Sequence, residues 1–344
     1  MQIEELRVER GMGLLVRGPV KISVKSGTVE IFAAPFEEGS EVVCPGGRQY
    51  PVVPSDSATL ELGLGSGSAF KMVNAEELIP EGWRSAAKEV VSISGTVVVV
   101  GDVNTGKSGF TLYAANMLLR MGAKKVGIVD SDIGQSDLGP PGTIGLGLLE
   151  KPNHNYLSIP LVDAYFIGDK TPVGHLLPMV LGTRKLVDRA FNMGARAVLV
   201  NTTGMVHGGV ARALKKYKVE ALNPSLIIGL QRVNEIEHLL KLFEKFYRVL
   251  RIETPPHVAV RGRSERVEFR AFRMGGYMVG SKIHTFNLND TSLLNMSVVE
   301  GRDCDEALGV IKGLSLEPSA VSCDGASISI VFRKRVDQEK FRLL

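Results

Sequence analysis

The fold is decided by one stretch of the sequence, TVVVVGDVNTGKS, which occupies residues 96–108. Five β-favouring residues lead directly into the pattern G-x-x-x-x-G-K-S, and a helical pattern follows over residues 111–121. A strand, a glycine loop and a helix in this order form the context of a phosphate-binding loop. The stretch therefore predicts a P-loop α/β domain that binds a nucleoside triphosphate.

Individual positions of this loop have expected roles. Gly101 and Gly106 let the backbone curl so that its N–H groups face a phosphate, and the N-terminus of the next helix adds partial positive charge. Lys107 can reach the β- and γ-phosphates, and the Ser108 hydroxyl can bind Mg²⁺. The residues predicted to bind the nucleotide are therefore Gly101, Asp102, Val103, Asn104, Thr105, Gly106, Lys107 and Ser108.

Length and composition indicate a globular protein of two or three domains, with 344 residues, 44% of them hydrophobic and 23% charged. A net charge of +4 permits a nucleic-acid partner without requiring one. The three isolated cysteines are typical of reduced thiols in an intracellular protein. Neither a signal pattern nor a membrane-length apolar run is present, so we expect no membrane association and a cytoplasmic location, or a nuclear one in a eukaryote.

The pattern along the chain predicts three domains. Residues 1–85 contain short β-rich pieces between Gly and Pro turns, which indicates an N-terminal all-β domain. Residues 80–88 are predicted to be a linker, with Trp83 packing against a neighbour rather than stacking on a ligand. Residues 86–277 alternate strands and helices, as in a P-loop kinase domain with a parallel sheet. Residues 278–344 are predicted to form a small C-terminal β-rich domain.

Two acidic residues follow the apolar strand at residues 126–129. An acid at the carboxyl end of a core strand beside a P-loop can hold Mg²⁺ directly or through water, which predicts that Asp130 serves the metal together with Ser108. A second acid two residues later can accept a proton from an incoming hydroxyl group. This role is predicted for Asp132.

Basic residues concentrate in two places. Residues 261–273 hold five arginines against two glutamates, and Arg263, Arg266, Arg270 and Arg273 share one face if the segment is helical. A solvated helix paired to the glutamates is the alternative for Arg270 and Arg273. The second group, on the helix after residue 208, is predicted to be a solvated face in preference to an RNA-backbone track; it comprises Arg212, Lys215, Lys216 and Lys218.

Three further motifs follow the P-loop: DSDIGQSDLGPPGTIG at residues 130–145, AYFIGDKTP at 164–172 and NTTGMVHGG at 201–209. In this order they resemble the polynucleotide 5′-hydroxyl kinases of RNA processing. That family includes the mRNA cleavage-factor kinase, the pre-ribosomal-RNA processing kinase and archaeal relatives. The resemblance covers roughly residues 96–280, and the flanking β-rich regions match only in architecture.

The resemblance implies that ATP and Mg²⁺ are used to phosphorylate the 5′-hydroxyl end of RNA, with DNA as the alternative acceptor. It implies catalytic roles for Lys107, Asp132 and two lid arginines, Arg263 and Arg266. It further implies substrate contacts, and these are assigned to Gln135, Thr202, Met205 and Arg261. Met205 stands where the eukaryotic cleavage-factor branch has a tryptophan suited to stacking on a base, and methionine packs on a base more loosely.

Protein partners from RNA processing are also implied by the resemblance. The competing hypothesis is a catalytically silent ATP-binding scaffold of an RNA-processing complex. Intact Lys107, Ser108, Asp132 and Arg266 favour the enzyme, since a scaffold need not keep a proton acceptor. A regulatory GTPase is disfavoured, because the strand ending at Leu230 is not followed by the Asn-Lys-x-Asp guanine signature.

Overall fold

The computed structural model describes residues 2–259 and 262–279, and three strands at residues 297–301, 320–323 and 328–332. The chain divides into two compact units, Met1–Val279 and Gly280–Leu344. The predicted fold class is confirmed, with a β-rich N-terminal region, a P-loop α/β region and β-strands near the C-terminus. The finer division at residues 85 and 277 stays a prediction.

The N-terminal region consists of two antiparallel sheets, in the strand orders β1-β8-β3-β6 and β5-β4-β7-β2-β9. Its strands are β1 (Gln2–Val8), β2 (Met12–Arg17), β3 (Val20–Ser26), β4 (Thr28–Ile31), β5 (Ala34–Glu37), β6 (Glu41–Cys44), β7 (Gln49–Pro54), β8 (Ala58–Leu64) and β9 (Ala69–Asn74). Alternation of buried and outward residues explains the arrangement: in β8, Leu60 and Leu62 are fully buried while Thr59 and Glu61 are not. The turn at residues 65–68 joins β8 to β9, and the chain passes there from one sheet to the other.

The prediction of a linker at residues 80–88 is wrong. After α1 (Ala75–Leu78), helix α2 (Glu81–Val91) occupies this segment and buries Trp83, Ala86, Ala87 and Val90 on one face. The Trp83 ring meets Phe110 edge-on at 5.4 Å between centroids, and its indole N–H donates to the Glu253 carbonyl at 3.1 Å. Trp83 therefore packs against neighbouring residues, as expected, and joins α2 to the central region.

A seven-stranded sheet in the order β13-β12-β11-β14-β10-β15-β16 forms the central region. Its strands are β10 (Thr96–Gly101), β11 (Val126–Ser131), β12 (Thr143–Leu149), β13 (Leu161–Phe166), β14 (Ala197–Thr202), β15 (Leu226–Gln231) and β16 (Val249–Glu253). Five neighbouring strands are parallel, as predicted, whereas β12 pairs antiparallel to both β11 and β13. Strand β10, which leads into the P-loop, lies inside the sheet between β14 and β15.

Helices α3 (Lys107–Arg120), α4 (Leu176–Asn192), α5 (Gly208–Leu222) and α6 (Glu237–Phe243) lie between these strands along the chain, with a short 3-10 helix at Tyr156–Ser158. Helix α7 (Arg263–Met278) follows the last strand of the sheet, β16. Helix α3 begins earlier than the predicted start at residue 111, because it starts directly after Gly106. Within the described part of the chain, none of the helices has the length and apolar character needed to cross a membrane.

The C-terminal unit contains β17 (Ser297–Gly301), β18 (Ala320–Cys323) and β19 (Ile328–Phe332). These three strands form an antiparallel sheet in the order β17-β19-β18. The β-rich character predicted for the end of the chain is therefore confirmed for its described residues.

Candidate active site

The phosphate loop has the geometry that its two glycines impose. A Cβ atom on Gly101 would lie 2.6 Å from the Thr105 hydroxyl oxygen and 2.8 Å from the Leu230 carbonyl oxygen, so no larger residue fits. Gly106 has a φ of +87°, in the left-handed region that favours glycine. The Thr105 hydroxyl donates to the Asp102 carbonyl at 2.9 Å and closes the loop. The loop backbone therefore curls immediately before the N-terminus of α3, where its N–H groups can face a bound phosphate.

Lys107 is nearly buried, with 6% of its surface exposed, and its Nζ donates to the Asp102 carbonyl at 2.6 Å. Burial lowers the pKa of Lys107 to about 8, although the carboxylates of Asp132 and Asp102 favour the charged form. A bound phosphate would place negative charge beside this amine and favour its protonated form.

A cavity of about 230 Å³ lies at the P-loop. Its lining brings together residues from three parts of the chain: the N-terminal sheets (Leu15, Phe32, Gln49 and Tyr50), the segment from Val103 to Gly109 with Trp83, and the loop after β11 with Asp132 and Gln135. The predicted residues Lys107, Ser108, Asp132 and Gln135 therefore converge on one space. Such a pocket, partly apolar and with a few convergent polar groups, is typical of a small-ligand site.

Asp130 is fully buried and accepts four hydrogen bonds. Its Oδ1 accepts from the Asp132 N–H at 3.2 Å and the Asn201 amide at 3.0 Å, and its Oδ2 from the N–H groups of Asp137 at 2.8 Å and Leu138 at 3.3 Å. Burial and the carboxylates of Asp137 and Asp132 raise the pKa of Asp130 to about 7, while the donors oppose that change. Asp130 thus does not line the cavity itself.

Asn201 joins Asp130 to the P-loop, and the sequence patterns did not single it out. Its amide nitrogen donates both to Asp130 and, at 3.2 Å, to the Ser108 hydroxyl. Its Oδ1 is buried and has no hydrogen-bond partner among the described residues. Oxygen donors from Ser108, Asn201 and Asp130 fit Mg²⁺, which prefers such ligands and usually keeps several waters.

Asp132 differs from Asp130 in its surroundings, although the two are separated by one residue. It is half-buried and lines the cavity, and among the described residues its side chain accepts one hydrogen bond, from the Gly134 N–H at 3.3 Å. Its carboxylate therefore remains open to a molecule in the cavity. Of the two predicted acids, Asp132 is the one placed to contact a substrate.

The arginine-rich segment forms helix α7, as its spacing predicts, and it docks on the loop after β11. Arg270 donates to the Gly134 carbonyl at 3.3 Å, and Arg273 donates to the carbonyls of Asp137 and Gly139 at 3.1 Å each. The alternative of a solvated face paired to glutamates is therefore wrong for these two residues. The Arg266 side chain donates to the carbonyl of Gly262, the residue before α7, at 3.3 Å. Arg261 and the side chain of Arg263 lie outside the described part of the chain.

A contact that the sequence did not predict ties this helix to the N-terminal sheets. Arg48 forms a bidentate ion pair with Asp137, at 3.0 Å and 2.5 Å, and only 11% and 6% of the two side chains are exposed. The same guanidinium lies 4.6 Å from the centroid of the Phe269 ring of α7. Arg48 thus fastens both the loop beside Asp132 and the arginine helix.

Besides Asp130, five predicted residues do not line the cavity: Gly101, Asp102, Thr202, Met205 and Arg266. Thr202 is fully buried and its hydroxyl donates to the Val99 carbonyl at 2.8 Å, which places it under the site rather than at its wall. Met205 is half-buried against the core of the central region. Arg266 lies on α7, as described above.

The predicted solvated face of α5 is wrong for two of its four basic residues. Lys215 and Lys218 are each only 1% exposed. They occupy the stripe that also buries Ala211, Leu214 and Val219, so the helix turns them toward the sheet. Lys216 is exposed and pairs with Glu220 at 3.6 Å, as a solvated residue would.

A strand, a glycine loop with an inward lysine and two acids at the end of β11, which only β14 separates from β10, define a P-loop nucleotide-binding protein. The chain belongs to the family described as mRNA cleavage and polyadenylation factor CLP1 P-loop, whose model matches residues 101–280, more than half of the chain. The predicted resemblance is therefore confirmed.

Curated relatives carry related names. The chain is 37% identical to a polyribonucleotide 5′-hydroxyl-kinase of Pyrococcus horikoshii over 231 residues, which is 66% of this chain and 62% of the relative. It is 36% identical to the enzyme of that name from Methanocaldococcus jannaschii over 205 residues, 60% of this chain and 56% of the relative. A CLP1 homolog of Culex quinquefasciatus is 27% identical over 224 residues, 60% of this chain and 51% of the relative. The match thus spans less than two thirds of these relatives' length.

Solved structures of Clp1p share the fold. One, a complex of wild-type Clp1p with a segment of Pcf11p, has a TM-score of 0.67 at 17% identity and covers 87% of this chain and 76% of that chain. Another, on the extended interface between Pcf11p and Clp1p, has a TM-score of 0.67 at 15% identity, with coverages of 98% and 96%. At such identities the similarity concerns the fold.

Proposed function

We propose that this chain is an ATP- and Mg²⁺-dependent polynucleotide 5′-hydroxyl kinase that acts on RNA. The observation that carries the proposal is the convergence of Lys107 and the open carboxylate of Asp132 on one cavity. A phosphate-binding cation and a proton acceptor facing the same space are what transfer to a hydroxyl group requires. The names of the archaeal relatives support the same reaction.

On the donor side, we assign the triphosphate to the P-loop, residues 101–108, with Lys107 at the β- and γ-phosphates. Phe32, Tyr50 and Trp83, which line the cavity, offer apolar surface for the remainder of the nucleotide. Ser108 would bind Mg²⁺ directly, and Asp130 would act through a metal-bound water, because its oxygens already accept four hydrogen bonds. The ion supplies positive charge that offsets the charge of the phosphate oxygens.

On the acceptor side, Asp132 takes the proton of the 5′-hydroxyl group. The 5′-oxygen then forms a bond to the γ-phosphorus while the bond from that phosphorus to the bridging oxygen of ADP breaks. Gln135 lines the same cavity and is assigned to the substrate. Thr202, Met205 and Arg261 keep the substrate assignment that the family resemblance implies. Arg263 and Arg266 of α7 are proposed to close on the transferring group, where guanidinium groups stabilise negative charge.

RNA-processing proteins are proposed as partners, in line with the Clp1p–Pcf11p complex formed by the structural neighbour. We also propose a cytoplasmic location. DNA ends are the alternative acceptors, and the acceptor test below includes them.

Incubation with γ-labelled ATP, Mg²⁺ and matched oligonucleotides tests the proposal. Label should appear on RNA with a 5′-hydroxyl end and not on RNA that already carries a 5′-phosphate, and parallel DNA oligonucleotides measure the preference for the sugar. Asp132→Asn serves as the matched control, because it keeps the size of the side chain and removes the proton acceptor. Tight ATP binding or hydrolysis without labelled ends would refute the kinase and favour the ATP-binding scaffold.

A further inference from the structure

Two buried lysines of α5, Lys215 and Lys218, have no role in the mechanism proposed above. Each is 1% exposed, and within residues 2–259 and 262–279 neither forms an ion pair with a carboxylate. Burial lowers the pKa of Lys218 to about 7 and that of Lys215 well below its usual range. Burying an amine without a paired charge costs free energy, so two such residues on one helix require an explanation.

The hydrogen bonds of the two lysines lead to the ends of two neighbouring strands. Lys218 Nζ donates to the Ser131 hydroxyl at 2.6 Å, and Lys215 Nζ donates to the Thr202 hydroxyl at 2.8 Å and the Thr203 carbonyl at 2.5 Å. Ser131 and Thr202 are paired in the register of β11 and β14. Helix α5 is therefore fastened at adjacent points where these strands reach the candidate site.

The two hydroxyl groups that accept these hydrogen bonds, those of Ser131 and Thr202, adjoin different halves of the candidate site. Ser131 directly precedes Asp132, the proposed proton acceptor. The Thr202 hydroxyl, by contrast, donates a hydrogen bond to the Val99 carbonyl of β10, the strand that leads into the P-loop. Lys218 thus supports the acceptor side, and Lys215 supports the donor side.

We infer that Lys218 is a positioning residue for Asp132, and that Lys215 is a positioning residue for the phosphate loop; this inference rests on the proposed function. Packing alone does not require lysine at either position, because methionine has a similar length and no amine to bury. What methionine lacks is the hydrogen bond that fixes Ser131 or Thr202. A small displacement of a reacting group can reduce a rate by about a hundredfold, so such a bond can matter without touching the substrate.

The acceptor half of the inference is tested with Lys218→Met, Ser131→Ala, their double variant and Lys216→Met, an exposed control on the same helix. Lys218→Met and Ser131→Ala should each lower kcat by about tenfold or more and leave the KM for ATP within about twofold. The double variant should be no slower than the slower single variant, because both changes break one hydrogen bond. Lys216→Met should keep the wild-type rate.

Amide hydrogen exchange provides a readout that does not depend on turnover. Residues 132–139 should exchange faster in Lys218→Met than in Lys216→Met. Wild-type kcat in a folded Lys218→Met, or multiplicative losses in the double variant, would overturn the acceptor half. If Lys218→Met does not fold, the kcat and loop exchange of Ser131→Ala decide the matter.

The donor half is tested by equilibrium binding of ATP. Lys215→Met should weaken ATP binding several-fold relative to Lys216→Met, and Lys218→Met should not. Equal ATP affinity in Lys215→Met and wild type would overturn this half. If the wild-type protein transfers no label, the proposed kinase function is refuted. ATP binding would then still test the role of Lys215 at the phosphate loop, and hydrogen exchange would still test the role of Lys218 at residues 132–139.

Discussion

Replacing Arg48 with methionine should destabilise the protein far more than its position on a surface turn between two strands suggests. The substitution keeps much of the side chain's length but removes the bidentate pair with Asp137 and the contact with the Phe269 ring. The Asp137 carboxylate stays buried near Asp130 and loses its two hydrogen bonds from the Arg48 guanidinium.

The magnitude follows from burial. With 11% and 6% of the two side chains exposed, the pair is shielded from solvent, and removing one partner of a buried pair costs about 3–5 kcal/mol. The chain offers a matched control in Arg120 and Glu30, which also join the two regions, at 2.7 Å, with 36% and 31% exposure. Exposed pairs contribute about 0–1 kcal/mol, so Arg120→Met should cost little.

Urea denaturation of wild type, Arg48→Met, Arg120→Met and the double variant Arg48→Met/Asp137→Asn measures the difference. We expect Arg48→Met to lower the free energy of unfolding by about 3–5 kcal/mol. The added Asp137→Asn change should restore part of the loss, because it removes a buried negative charge beside Asp130. Equal losses in Arg48→Met and Arg120→Met would refute the reasoning, because burial would then not set the strength of the pair.

Three further predictions concern the site. Asp132→Asn should lower the rate of transfer about 10²–10⁴-fold with ATP affinity nearly kept, whereas Asp130→Asn should raise the Mg²⁺ requirement; a metal titration in which Mg²⁺ rescues only Asp132→Asn would reverse the two roles. Arg266→Ala should lower kcat more than it weakens ATP binding, because the proposed contact strengthens in the transition state; steady-state kinetics showing a larger kcat loss in Arg270→Ala would place the catalytic arginine one turn later. The pKa of Lys218 is about 7 in the folded protein, against an ordinary value of 10.5, so between these pH values the unfolded chain binds one more proton than the folded protein. The free energy of unfolding of wild type should therefore rise relative to that of Lys218→Met from pH 7 toward 10.5. Urea midpoints of the two proteins that differ by the same amount at every pH would contradict this prediction.

Local sequence patterns predicted the P-loop and its neighbouring acids because the signal there is short-range. Strand β10, the two glycines, Lys107 and the acids at the end of β11 lie within contiguous stretches whose backbone geometry allows few alternatives. The opposite environments of Asp130 and Asp132 could not be predicted in this way. The buried Asp130 carboxylate is satisfied partly by the Asn201 amide, which lies 71 residues further along the chain on β14.

Two of the errors had a signal in the sequence. Trp83, Ala86, Ala87 and Val90 follow helical spacing, and the turn residues around Pro80 concealed it. In α5, Lys215 and Lys218 fall in the same stripe as Leu214 and Leu222, but their charge suggested solvent. The contact between Arg48 and Asp137 had no comparable signal, since 89 residues separate the pair and only the tertiary fold brings them together.

The hydrophobic core under the P-loop continues into the N-terminal region. One cluster of buried residues contains Ala33 and Leu78 together with Val97, Phe110 and Leu199. Recombination between relatives with a breakpoint at residue 85 would therefore combine halves of a core that did not evolve together, and we expect such chimaeras to fold poorly. A breakpoint at residues 279 and 280, between the two compact units, would leave that shared core within one parent.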